Sequence, residues 1–176
     1  SALTDGTNIA NVITDADGNC IFYVKDLEGF TTRTYYKATP INSENKLTAT
    51  EIDGKIKIET PHFTFDICKD GTLDNFYDKR IDRFVGDKLN NIITFKDGPE
   101  NEDAWNIDKE YKSRPVDMKW ENEIKLIHIN DERITVRVTK KHNNTVLTQD
   151  IIAYSNIARV DFKSHIDWQE KYKILQ

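Results

Sequence analysis

The sequence predicts an all-β protein, an antiparallel sandwich, and three observations predict it. Apolar residues alternate with polar ones at a period of two, turn dipeptides fall between the alternating runs, and no segment carries a sustained helical apolar stripe. Residues 1–40 read as the end of a small β lobe, in which NVITDADGNCIFYVKDLEGFTTRTYYKA supplies two or three strands, too few to be stable alone. Residues 41–50, polar and turn-prone, read as a linker, and residues 51–176 as the first part of a large β-sandwich domain. Within that domain HFTFDIC sets Phe63, Phe65 and Ile67 on one face. The best helical candidate, KRIDRFVGDKLNN, is short and interrupted by Gly86. RITVRVTK turns Ile134, Val136 and Val138 one way and Thr135, Arg137 and Thr139 the other. VDFKSHIDW repeats the pattern, with Val160, Phe162, Ile166 and Trp168 opposite Asp161, Lys163, His165 and Asp167, and this predicts Trp168 as a core residue. Such alternation marks strands buried on one face only. Turns are expected at Asp53-Gly54, Asp70-Gly71, Asn143-Asn144 and Ser155-Asn156.

A chain of 176 residues suits about one domain and is long enough to bury a real core. Its net charge of −5 argues against a nucleic-acid partner, because phosphate recognition needs clustered Lys and Arg. The pairs Lys79–Arg80 and Lys140–Lys141 are too short to change that. No apolar run approaches the ~18–20 residues of a membrane-spanning helix, so no membrane partner is expected. Two cysteines, Cys20 and Cys68, in a domain of this size favour free thiols and a reducing compartment, which makes the cytoplasm the expected location.

Most familiar chemistry finds no motif. DADGN, residues 15–19, places Asp15, Asp17 and Asn19 at alternate positions like a calcium loop, but Gly18 is fourth rather than sixth and the twelfth position is Asp26. Its flanks are strand-like, so a hairpin turn is the better reading. His62, His128, His142 and His165 form no metal-ligand spacing with one another or with the cysteines. There is no nucleophile elbow and no glycine-rich phosphate loop.

The segment GPENEDAWNIDKEY raises a different question, since it sets a tryptophan among acids far from any apolar run. If the stretch is extended, Asp103 and Trp105 share a face. A carboxylate beside an indole suits a sugar, whose C–H face packs on the ring while its hydroxyls bond to the acid. Asp103 and Asp108 are five residues apart, on opposite faces of a strand, and spacing alone makes no acid/base pair of them. The plainer alternative is a tryptophan closing the sandwich edge, with the aspartates capping turns.

Three stretches in order resemble the C-terminal half of glycoside hydrolase family 38, the α-mannosidases, and especially their bacterial and cytosolic branch. HFTFDICKDGTLDNFYDKR resembles the family's strand–turn–strand at the start of its large β domain, with Asp70-Gly71 at the turn and Tyr77-Asp78-Lys79-Arg80 closing it. In DGPENEDAWNID, Asp103, Ala104, Trp105, Ile107 and Asp108 match a family loop, and Asn106 stands where an acid is common. VDFKSHIDWQEKYKILQ matches a later strand pair at Asp161, Phe162, Asp167, Trp168 and Glu170, with Gln169 and Tyr172 where histidines are frequent.

The resemblance implies a supersandwich like that of the galactose-mutarotase group, truncated at its C-terminal end. It implies a parent enzyme that hydrolyses α-mannosidic bonds with retention, using zinc held in an N-terminal catalytic domain. This chain would then carry no catalytic residue and no cofactor of its own, and would be inactive alone. Asp103, Trp105 and Asp108 would be its substrate-binding residues, with Trp105 as an apolar wall of the sugar site and Asp103 and Asp108 hydrogen-bonding substrate or holding the loop. Ser1-Ala2-Leu3 has no initiator Met and EKYKILQ stops in a strand-like run, so the chain reads as an excised piece whose unpaired edge favours self-association. The alternative is a stand-alone carbohydrate-binding β-sandwich module. A mutarotase-like enzyme is a further rival, needing His128 or His165 beside a carboxylate in one pocket.

Overall fold

The computed structural model describes residues 1–14, 18–24, 26–41, 47–98 and 105–176. These fall into two compact units, Ser1–Asn45 and Lys46–Gln176. The architecture is all-β and antiparallel, as the alternation predicts.

The first unit has five short strands among its described residues. β1 (Ala2–Thr4) lies between β2 (Ile9–Asn11) and β5 (Tyr36–Ala38). β3 (Ile13–Thr14) and β4 (Cys20–Ile21) form a separate ribbon. The Asp5 carboxylate closes the β1–β2 turn by accepting the Thr7 and Asn8 N–H groups at 2.9 and 2.7 Å, and Arg33 pairs with it at 3.3 Å. β3 and β4 flank DADGN as paired strands, as a hairpin requires; Asp15 and Asp17 lie outside the described residues.

The second unit is built around two facing sheets. One has the order β10-β9-β8-β7-β6, from β6 (Thr48–Ile52), β7 (Lys55–Glu59), β8 (Phe63–Ile67), β9 (Leu73–Asp78) and β10 (Arg83–Gly86). β6 begins at Thr48, so the last residues of the expected linker are sheet, and the best helical candidate is strand β10 with its turns. A three-stranded sheet follows, with β11 (Thr94–Lys96) between β12 (Pro115–Val116) and β17 (Lys173–Leu175). The other main sheet runs β13-β14-β15-β16, from β13 (Glu121–Ile129), β14 (Arg133–His142), β15 (Thr145–Tyr154) and β16 (Val160–Asp167).

One core joins the two main sheets. Ile56, Ile58, Phe63, Phe65, Ile67 and Leu73 from the first meet Ile134, Val136, Val138, Ile151 and Ala153 from the second. Register holds this arrangement, because a slip of one residue would turn every one of these side chains outward. The expected turns set it. Asp53 and Gly54 join β6 to β7 with φ of 51° and 73°, the paired positive values of a type I′ hairpin, and Asn143 has φ 51° between β14 and β15.

β16 differs from its sequence reading. The ladder does put Phe162 opposite Ile151 and Ile166 opposite Leu147, on the core-facing side. At the edge of the sheet that face is only partly covered, so Phe162 and Ile166 remain exposed. Trp168 is half-buried rather than a core residue.

Candidate functional site

The DAWNID loop leaves β11 and returns through a 3-10 turn, Tyr111–Ser113, to β12. Tyr111 anchors the return by packing its ring edge-on to the buried Phe95 at 5.3 Å. The Asp108 carboxylate accepts the Glu110 N–H at 3.0 Å and pairs with the Arg114 guanidinium at 2.6 Å. The Glu110 N–H, aided by Arg114, holds its carboxyl below the ordinary carboxylate range. Of the two roles open to Asp108, holding the loop is the one its partners support. Trp105 is 91% exposed, an indole presented to solvent from a pinned loop. Asp103 lies outside the described residues.

The histidines do not converge. His128 on β13 and His165 on β16 face Thr135 and Thr148, on the outer side of the sheet. Three strand spacings, ~14 Å, separate two such edge strands. Among the described residues no group of three His, Cys, Asp or Glu side chains could hold a metal ion.

A second feature escaped the sequence reading. An open cleft of about 850 Å³ is lined by, among others, Asp70, Asp74, Lys88, Asn91, Trp120 and Asn122. Asp74 is fully engaged: Oδ2 takes Lys55 Nζ at 3.1 Å and the Cys68 thiol at 3.2 Å, and Oδ1 takes the Lys88 N–H at 3.1 Å. Asp70 Oδ1 accepts the Thr72 N–H and hydroxyl at 3.0 and 2.7 Å. Trp120 stands edge-on to His142, with ring centroids 6.0 Å apart.

Beside the cleft, Asn122 on β13 is paired in register with Lys140 on β14. Lys140 is only 5% exposed. Burial pushes its ammonium below the ordinary lysine range, and the Asp70 carboxylate only partly offsets this. The signal was present in the sequence, since Lys140 continues the apolar register Ile134, Val136, Val138.

Residues 58–176, more than half of the chain, match the glycosyl hydrolases family 38 C-terminal domain. The chain belongs to this family of glycoside hydrolases. It is similar to Alpha-mannosidase G of Dictyostelium discoideum, with 27% identity over a 135-residue alignment that covers 72% of this chain and 12% of that protein. The chain thus spans a small part of the length of the curated relative it matches.

Proposed function

We propose that this β-sandwich serves a protein that hydrolyses α-mannosidic bonds with retention, and that it supports and partly walls the sugar site. The observation that carries the reading is the family match over residues 58–176, together with the likeness to an α-mannosidase. On this reading the nucleophile, the acid/base carboxyl and the zinc reside in a catalytic domain of the same polypeptide. The contribution of this chain is mechanical and apolar. Asp108 and Arg114 fix the loop, and the loop presents Trp105, whose ring packs against the C–H face of the mannose. On the same reading Asp103, two residues earlier in the sequence, supplies a hydroxyl acceptor.

The test is made on the full-length protein with an aryl α-mannoside. Trp105→Ala is expected to raise KM about tenfold, the scale of losing one aromatic platform. Unchanged kinetics would remove Trp105 from the sugar site, and no mannoside hydrolysis by the wild type would remove the activity itself.

A further inference from the structure

We propose that β10 is the contact through which two copies of this chain associate, edge to edge and antiparallel, about a twofold axis that passes through Val85. The inference concerns assembly and does not depend on the hydrolysis proposed above.

β10 has a neighbour on one side only, because it ends the order β10-β9-β8-β7-β6. An edge strand presents unpaired N–H and C=O groups along its free side and is a template for pairing with another chain. β10 is short and bulged, yet it carries apolar side chains: Ile81, just before it, and Phe84 and Val85 within it are each more than half exposed. The ladder to β9 pairs Phe84 with Tyr77 and Gly86 with Phe76, so the bulge leaves Val85 with no residue opposite it. Neighbouring exposed apolar side chains of this kind mark an interaction surface.

The order of charges selects a second copy as the partner. In an antiparallel pairing of two β10 strands centred on Val85, Arg83 of each copy lies opposite Asp87 of the other, and Asp82 opposite Lys88. Opposite charges facing each other across a strand pair are favourable, and symmetry makes each pair occur twice. A slip of one residue sets Asp82 against Asp87 in one direction and Arg83 against Lys88 in the other. Both neighbouring registers thus oppose like charges, which is destabilising. The groups are available for the contact. Arg83 is exposed, with no side-chain hydrogen bond or ion pair among the described residues. Asp82 and Asp87 each engage one oxygen, with the Tyr77 hydroxyl and the Asn75 N–H respectively. Phe84 would meet Gly86 of the second copy, where no side chain blocks the ring, and an aromatic residue across from an edge glycine stabilises a sheet. The twofold axis makes the contact isologous, so it closes in a dimer rather than a growing stack.

Sedimentation equilibrium of the full-length protein between about 1 and 100 µM reads the association. A reversible dimer is expected. Arg83→Asp and Asp87→Arg are each expected to weaken it at least about tenfold, because like charges then face each other on both sides of the axis. Mixed in equal amounts, the two variants are expected to associate again. Arg83→Asp leaves one copy acidic at both positions and Asp87→Arg leaves the other basic at both, so the mixed pair regains opposite charges. A purely structural role for either residue would not be rescued in the mixture. Val85→Lys, which sets two ammonium groups together on the axis, gives a second test should the Asp87 variant fail to fold, with the same loss expected. A wild type that stays monomeric across the range overturns the proposal and leaves β10 to another segment or another protein. An assembly unchanged by either Arg83→Asp or Val85→Lys overturns it by placing the contact elsewhere. Association lost in the folded single variants but not regained in their mixture overturns the register centred on Val85.

Discussion

Gly71 and Val138 bring the two sheets into contact: a Cβ added at Gly71 would stand 3.0 Å from Cγ1 of Val138. Gly71 also holds φ at 81°, where an L side chain is strained. Both effects oppose any larger residue at the β8–β9 turn. Gly71→Ala is therefore expected to destabilise the protein by about 2 kcal/mol, the sum of left-handed strain and mild overpacking. Urea unfolding of the two proteins checks it, and a midpoint unchanged by the substitution would show that the turn relaxes freely.

The Asp108–Glu110 contact makes the DAWNID loop sensitive to acid. The folded carboxyl titrates below its ordinary value, chiefly because it accepts the Glu110 N–H. A depressed acid stabilises its contact at all pH above the unfolded value of about 3.9, and loses it as pH falls through the lower folded value. The Glu110 amide should thus keep its protection, relative to its intrinsic exchange rate, at neutral pH and lose it only in strong acid. Asp108→Ala, which removes the acceptor, should expose it already at neutral pH, and amide exchange measured by NMR reads both. Equal protection in the two proteins would mean that the backbone alone holds the loop.

The two thiols should differ in reactivity. Cys20 is exposed, whereas Cys68 is half-buried and donates to Asp74. Burial first, and then the Asp74 carboxylate, push the Cys68 thiol up, and only the thiolate attacks an alkylating agent. At pH 8, iodoacetamide should label Cys20 at least about tenfold faster than Cys68. Mass spectrometry of timed digests decides, and matched rates would contradict the environment described for Cys68.

How far the sequence showed all this depends on which layer is asked about. Period-two alternation reports the two faces of a strand, and it placed Phe63, Phe65, Ile67, Ile134, Val136 and Val138 in the core, where they are. It does not report whether an opposing layer reaches that face, which is why Phe162 and Ile166 read as core and yet are exposed at the edge. The DAWNID loop was visible as an anomaly, a tryptophan among acids. The pairing of Asp108 with Arg114 was not, because it depends on the chain turning back through Tyr111–Ser113. The cleft was harder still. Asp70 comes from the β8–β9 turn and Trp120 and Asn122 from the start of β13, so nothing in the sequence spacing brings them together.

Lys140 yields the remaining prediction, one of stability. Replacing a buried, unpaired charge by an apolar side chain of similar length is neutral or stabilising, because the desolvation penalty disappears. Lys140→Met should therefore hold or raise the melting temperature at pH 7, by about 2–4 °C for each kcal/mol recovered in a chain of this size. The sign with pH follows from the direction of the shift. The folded ammonium releases its proton below the ordinary lysine value of 10.5, so between the two values the unfolded chain binds more protons and wild-type stability rises with pH. The advantage of the methionine variant should accordingly shrink as pH climbs towards 10.5. Calorimetric scans of both proteins at pH 7 and at pH 10 test this. A lower melting temperature for the variant at pH 7 would show that the attraction of Asp70 outweighs the burial of the ammonium.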